Sequence, residues 1–325
     1  MSKTRVAFVG AGALAGRYHY PSVATLEDAE IEAVAELNPQ RAETVAEKWG
    51  IPKTYSDYKT MFEEVDPQAV YIIMPPQYLF DAVVYALKQG RHVFIEKPPG
   101  LTTFHTRVFA DLAEKHGCLT AAGFQRRHVP AMTALKKRVL ERGPIHTVRL
   151  DFLKSTRRTD QHAGFYDGAI DPLTSDGIHA VDNLRWLAGG EVETVTSSVR
   201  QLAVPGPFAN TVMAQVTFSS GAVGQLHFGY MTGRRIFRAE IHGPNVTAYV
   251  DPDRDSYIVM DDGEPEVRSS SDYGKELGGE PHHWLGFWHE HRHFIDCIKE
   301  GKQPSSHFAD AVKTMELVDR IYAGR

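Results

Sequence analysis

The segment that most limits how this chain can fold is Gly10-Ala11-Gly12-Ala13-Leu14-Ala15, which follows directly on the apolar run Val6-Ala7-Phe8-Val9. It matches G-x-G-x-x-G/A, a strand-to-helix turn that binds a dinucleotide. The first glycine makes the tight turn, and the second lets main chain approach a pyrophosphate. The third small residue lets the helix pack close to the strand. The new helix starts at Ala13-Leu14, and its N-terminal N–H groups face the phosphates. The pattern alone is weak. Its place after a strand and before a helix, at the N-terminus, gives it force.

The next ~120 residues keep that rhythm. Strand-like runs at Arg5–Val9, Ile31–Ala35, Ala69–Met74, His92–Glu96 and Leu119–Gly123 alternate with helical stretches Gln40–Trp49, Tyr58–Val65, Tyr78–Gln89 and Thr103–His116. Strands separated by helices make βαβ units, and these require a parallel sheet covered on both faces. The expectation is an α/β Rossmann domain, doubly wound on a parallel sheet. Glu36 ends the second run, 24 residues beyond Gly12. An acid there accepts hydrogen bonds from the ribose hydroxyls and repels a 2′-phosphate, so NAD is expected over NADP, although Arg41 lies nearby.

After Gly123 the pattern changes. A helix over Ala131–Arg142 stops at Gly143-Pro144. Long β-like runs follow at Ile145–Ser155, Val192–Leu202, Thr211–Phe218, Ala222–Tyr230, Arg238–His242 and Thr247–Asp251. A polar excursion, Asp251–Glu280, carries one further strand pair, Ser256–Met260 with Glu266–Ser269. Helices at Trp288–Glu300 and His307–Ala323 close the chain. This reads as a C-terminal α+β domain on a large, open, mostly antiparallel sheet. The expected division is 1–123 for the dinucleotide and 124–325 for substrate and oligomerisation, the last helix returning to the first domain.

Composition narrows the function classes. With 36 basic against 41 acidic residues, the 325-residue chain has a formal charge of −5, unlike a nucleic-acid binder. No apolar run approaches the ~18–20 residues of a membrane span. Lys3-Thr4-Arg5 lead straight into the first strand without an apolar leader segment, so a cytosolic location is expected. Two cysteines, Cys118 and Cys297, are too few for a disulfide framework or a cysteine zinc site.

Glu96-Lys97-Pro98-Pro99 ends the His92–Glu96 run, placing a lysine on a proline-stiffened turn at the carboxyl end of a parallel strand, where ligands of such sheets bind. These residues also carry a family resemblance. The Gly10–Ala15 loop, the Pro75-Pro76 turn, the passage from Ala86-Leu87 through Gly90-Arg91-His92-Val93 to Glu96-Lys97-Pro98, Gly177-Ile178-His179-Ala180-Val181-Asp182 with Leu184-Arg185-Trp186-Leu187, and Phe294-Ile295-Asp296 to Glu300-Gly301 together resemble the glucose–fructose oxidoreductase, inositol dehydrogenase and MocA (Gfo/Idh/MocA) oxidoreductases. The resemblance spans almost the whole chain. It implies a Rossmann domain followed by an open-sheet domain, sugars or cyclic polyols as substrates, and a homodimer or homotetramer built through the C-terminal sheet.

It further implies that Lys97 and His179 are catalytic. Their chemistry agrees. An ammonium stabilises negative charge developing on the substrate oxygen, and an imidazole takes and returns the hydroxyl proton near neutral pH. The implied cofactor contacts are Gly10, Gly12, Ala13, Leu14, Glu36, Met74, Pro76, Gln77, Glu96 and Lys97. Two departures stand out. The family's acid four residues before the histidine is Ser175 here, with Asp176 one position later as a candidate third catalytic member or a helix cap. Phe80 stands where the family often has histidine, with Gln77 in place of an asparagine. Candidate substrate contacts are Gln125, Arg126, Arg157 and Tyr166. Arg157-Arg158 would suit an anionic group.

His289-Glu290-His291-Arg292-His293 satisfies the zinc-protease pattern H-E-x-x-H. No downstream third ligand accompanies it, and no metal is expected. Two other readings stay open at this point: a glycosidase that oxidises transiently with recycled NAD, and a non-enzymatic sugar sensor on the same fold.

Overall fold

The computed structural model describes residues 3–155, 168–202 and 208–324. The chain separates into two compact units, Met1–Gln125 with Phe287–Val312, and Arg126–Gly286 with Lys313–Arg325.

The first unit is built on six parallel strands, β1 (Thr4–Val9), β2 (Ala29–Ala35), β3 (Lys53–Tyr55), β4 (Ala69–Ile72), β5 (His92–Glu96) and β6 (Thr120–Gly123). Their order is β3-β2-β1-β4-β5-β6, and every pairing is parallel. This is the doubly wound order in which strands 1 and 4 adjoin where the winding reverses. β4 and β6 are buried at every position, as strands covered on both faces must be. The three-residue β3 was not expected: Lys-Thr-Tyr is largely exposed and has no apolar pattern to announce it. It is an edge strand, held by pairing with Ala33–Ala35. The helix Phe287–Glu300 also belongs here. Its Phe294 and Ile295 join Phe8, Tyr71 and Phe94 in the core, and Arg292 clamps Asp28 with both terminal nitrogens, at 2.5 and 3.0 Å.

The second unit carries eight strands, β7 (Thr147–Lys154), β8 (Val192–Arg200), β9 (Thr211–Phe218), β10 (Val223–Tyr230), β11 (Ile236–Gly243), β12 (Val246–Val250), β13 (Asp255–Met260) and β14 (Glu266–Ser269). Their order is β14-β13-β12-β11-β7-β10-β9-β8. All neighbours are antiparallel except β7 and β10, so the sheet is mixed at that one seam. Helix Pro130–Arg142 packs on β11 and β12, and helix Ile178–Ala188 on β7 and β10. The strands alternate buried with half-exposed residues, leaving the other face open.

Helix Ile178–Ala188 is braced by buried charge. Arg127 Nε donates to Asp182 Oδ2 at 2.7 Å, and its Nη2 donates to Oδ1. Thr314 Oγ1 also donates to Asp182 Oδ1 at 2.9 Å and in turn accepts from Arg185 Nη1. Asp182 is fully buried and Arg127 is 3% exposed. Removing one member of a buried, hydrogen-bonded ion pair strands the other's charge, at a cost of about 3–5 kcal/mol. Asp182→Ala is therefore expected to lower the urea midpoint of this unit by that equivalent, read by circular dichroism. Among the described residues no helix is long and apolar enough to cross a membrane.

Candidate active site

The residues expected to hold the cofactor lie at the carboxyl edge of the parallel sheet. Gly10 directly follows β1, with φ +101°. A Cβ there would stand 2.1 Å from the carbonyl oxygen of Ile73, so only glycine permits this approach of β1 to β4. The turn is tied at both ends. Gly10 N–H donates to Ala35 O at 2.8 Å, and Tyr20 OH donates to Gly10 O at 3.0 Å. Tyr20 stacks on Phe8 with ring centroids 4.3 Å apart. Burial first, and the Glu36 charge second, push its phenol well above the usual range, so it remains a donor. A π-turn, Ala15–His19, follows the loop, and Ala15 is fully buried beneath it.

A Cβ on Gly12 would meet no protein atom within 4 Å, so the approach a pyrophosphate needs is clear. Ala13 and Leu14 begin the helix beyond it, and Leu14 is largely exposed. Glu36 reaches back to the loop: Oε2 accepts from Ala11 N–H at 2.9 Å, and Oε1 accepts from Asn38 N–H at 3.0 Å. A carboxylate has about four acceptor positions; with the longer bond from Arg41 Nη1 as a third, one is left for a ribose hydroxyl, and displacing Arg41 frees a second. Arg41 Nη1 lies 3.5 Å from Glu36 Oε1. Its charge is thus already matched by the acid rather than held ready for a 2′-phosphate. Met74, then the short turn Pro76–Tyr78 containing Gln77, follow β4. Glu96 and Lys97 follow at the tip of β5, Glu96 buried and Lys97 half-buried. Phe80 brings no polar group; its ring packs on His105 and Phe109. These residues fit an NAD.

The second unit gathers a separate set. His179 is the second residue of helix Ile178–Ala188 and is 5% exposed. Asp176 lies three residues earlier, in the π-turn Leu173–Gly177. Its Oδ2 accepts from Tyr230 OH at 2.6 Å and from Lys154 Nζ. Lys154 and Tyr230 end β7 and β10 as register partners. Sequence reasoning had not singled out either residue, because only strand pairing brings them together. Ser175 is buried, its hydroxyl 3.5 Å from Pro172 O.

Arg126 is 4% exposed, with its guanidinium 4.5 Å from the centre of the Phe237 ring. Its Nε and Nη1 have no hydrogen-bond partner among the described residues. Burial, then repulsion from Arg235, lowers its pKa to about 10, so it stays cationic at neutral pH. Gln125, beside it in sequence, is 6% exposed and belongs to the first unit. Arg157 and Tyr166 lie outside the described residues.

In the H-E-x-x-H segment, Glu290 and His291 are buried. His293 Nε2 accepts from Ser305 N–H at 3.0 Å and lies 3.7 Å from Cys297 Sγ. That nitrogen is engaged, and no group of three or more His, Cys, Asp or Glu among the described residues has metal-binding geometry.

Comparison with known proteins accords with this arrangement. The NAD-binding Rossmann-fold model of the oxidoreductase family matches residues 4–124, and that family's C-terminal α/β model matches residues 136–324. The chain belongs to the Gfo/Idh/MocA oxidoreductase family. Its Rossmann domain binds NAD, and like other members it is a dehydrogenase. Among Gfo/Idh/MocA relatives, the scyllo-inositol 2-dehydrogenase (NAD(+)) of Bacillus subtilis is 27% identical over 97% of this chain and 92% of its own. The myo-inositol 2-dehydrogenase of Thermotoga maritima is 25% identical over 79% and 78%. A levoglucosan dehydrogenase in complex with NADH and levoglucosan shares the fold at TM-score 0.85 and 21% identity, covering 99% of this chain and 97% of that one.

Glu36→Ala tests the cofactor edge. Losing two hydrogen bonds to a carboxylate is expected to raise the NAD Kd roughly 10–100-fold. NADP should lose far less, so the NAD-to-NADP ratio measured by fluorescence titration should fall.

Proposed function

We propose that the chain oxidises a secondary hydroxyl of a sugar, a cyclic polyol of the inositol kind or a close derivative, with Lys97 polarising the reacting oxygen and His179 relaying its proton. The observation that carries this reading is Lys97 directly after β5, on the sheet edge where Glu36 follows β2 and Gly10 follows β1. Bound NAD supplies the hydride acceptor. The Lys97 ammonium favours the negative charge that grows on oxygen as hydride leaves. His179 accepts the hydroxyl proton and returns it in the reverse direction. Asp176, three residues before His179 in the adjoining π-turn, serves as the third member. Its carboxylate is held in place by Tyr230 and Lys154. The Arg126 nitrogens that have no partner among the described residues give the substrate a strong donor, and a polyhydroxylated ring supplies the matching acceptors. The two inositol dehydrogenases among the relatives support this substrate class. We assign the activity to the cytosol, where the two buried free cysteines would stay reduced.

The test is NADH appearance with a panel of inositols, neutral and acidic sugars, and glycosides. Turnover with NAD is expected on at least one free hydroxyl compound. Lys97→Ala and His179→Ala should each lower kcat by about 10²–10⁴. Glycoside cleavage without net NADH would replace this reading with a cofactor-recycling one.

The same proposal includes a homo-oligomer through the open face of the eight-stranded sheet. That face carries the stacked pair Tyr249–Tyr257, at 4.4 Å, and the exposed Met213. It also carries Asp151, 3% exposed beside Arg149, Arg238 and His227. Light scattering should give a dimer or tetramer, and Met213→Arg with Tyr257→Arg should shift it toward monomer. A monomeric wild type would refute the assembly without touching the chemistry.

A further inference from the structure

Behind Lys97, the first unit contains a buried polar chain in which the dehydrogenase reading gives two histidines, His19 and His291, no task. The Lys97 main-chain N–H donates to Glu96 Oε2 at 3.0 Å. Glu96 Oε1 lies 3.0 Å from His19 Nε2, a charge contact without hydrogen-bond alignment, and neither atom has a hydrogen-bond partner among the described residues. His19 Nδ1 lies 2.9 Å from His291 Nε2. Glu96 is 7% exposed, and His19 and His291 are fully buried. Aromatic rings enclose them: Phe94 and Phe287 around His19, Tyr71 and Phe94 around His291.

The proton positions are consistent along the chain. A carboxylate oxygen cannot donate, so the Glu96 contact favours the hydrogen on His19 Nε2. In the neutral imidazole Nδ1 then accepts from His291 Nε2–H, and in the charged form Nδ1 donates to it. The His19–His291 link survives in either state.

Three titratable side chains in an aromatic core are not needed for packing, which apolar residues of similar volume would provide as well. Two further features show that the arrangement is built. His19 ends the π-turn that continues from the Gly10–Ala15 loop, so one imidazole is joined covalently to the phosphate-facing loop and by contact to the Glu96-Lys97 turn. Gly123 is the register partner of Glu96, and a Cβ there would stand 3.0 Å from the Glu96 carboxyl carbon and Oε1. The neighbouring strand leaves just enough room for this carboxylate.

We propose that Glu96 and His19, backed by His291, are positioning residues that lock the peptide entering Lys97 against the cofactor loop and so present its ammonium in one orientation. Its kinetic consequence rests on the dehydrogenase reading above; its structural consequence does not. A misplacement of about 1 Å at a reacting group costs about 10²-fold in rate, and sites are held that closely only when a supporting shell fixes them.

The test uses the full chain with lysines reductively 13C-methylated, the Lys97 signal being assigned by its loss in Lys97→Arg. Wild type should show Lys97 displaced from the free dimethyl-lysine position. His19→Ala and Glu96→Ala should return it toward that position and lower kcat roughly 30–100-fold, and for His19→Ala, which is not a cofactor contact, the NAD Kd should change less than threefold. Glu96→Gln should recover most of both, because its amide oxygen accepts from Lys97 N–H while its NH2 donates to His19 Nε2 in the other tautomer. His291→Phe keeps the ring packing and should give a smaller effect of the same sign.

An unchanged Lys97 signal and kcat in a folded His19→Ala would overturn the proposal, as would Glu96→Gln behaving like Glu96→Ala. If His19→Ala fails to fold, Gly123→Ala decides, since it pushes on the carboxylate and leaves every member of the chain in place. A moved Lys97 signal then supports the proposal, and an unmoved one rejects it. A wild type silent on every hydroxyl compound would sink the dehydrogenase reading, while the Lys97 signal would still judge the positioning.

Discussion

The first unit depends on how closely β1 lies against β4 at Gly10. Main chain touches main chain there, with no room for a side chain between the turn and Ile73 O. That contact organises the edge in space, though not in sequence. Parallel pairing sets the carboxyl ends of β2, β1, β4 and β5 side by side. Residues 36, 10, 74–77 and 96–97 therefore line one edge of one sheet, although helices separate them along the chain. Connections between parallel strands need a crossover, so each tip is delivered by its own strand and held by its neighbours. The edge is stiff, as a site that must hold a dinucleotide and a charged lysine requires.

The second unit positions its groups by other means. Strand register sets Lys154 beside Tyr230, and both converge on Asp176 in the turn ahead of a helix. That helix is fixed in turn by the buried ion pair between Arg127 and Asp182. The motif containing His179 and Asp182 thus combines two jobs. His179, near the helix start, belongs to the proposed chemistry; Asp182, one turn on, holds the helix that carries it. Substitutions at the two positions should accordingly fail in different ways, one in rate and the other in stability.

The parts of this arrangement legible in the sequence were those encoded by local pattern. Gly10–Ala15 announces itself because a glycine turn between an apolar strand and a helix has few other uses, and the buried parallel strands are short Val- and Ile-rich runs. Glu36 and Lys97 could be read because each ends such a run. Features that arise from pairing or packing were not legible. β3 is three polar or aromatic residues that become a strand only beside β2. Lys154 and Tyr230 are 76 residues apart. The burial of Arg126 beside Phe237, which leaves two of its nitrogens without a partner among the described residues, is something that nothing in Gln125-Arg126-Arg127 foretells. The histidine-rich segment misleads for the converse reason. H-E-x-x-H describes spacing on a helix, whereas burial of Glu290 and capture of His293 by the Ser305 N–H depend on what surrounds that helix.

The departure at Ser175 shows how far a one-residue shift reaches. On a regular α-helix, moving an acid by one position turns it about 100° around the axis, enough to remove it from the histidine's face. Here the segment before His179 is not regular. Leu173–Gly177 forms a π-turn, whose i→i+5 bonding accommodates an extra residue per turn and changes the angular relation between its two flanks. Ser175 turns inward, and Asp176 is the residue that meets the strand ends. There it finds both a cation and a phenolic donor, so its charge is balanced and one oxygen is oriented. The acid missing at 175 left one part of the expected constellation without a residue. The second unit instead presents a carboxylate with partners of its own, three residues from the histidine. Its position is set by the β7–β10 seam, the one place where the described strands of this sheet pair in parallel.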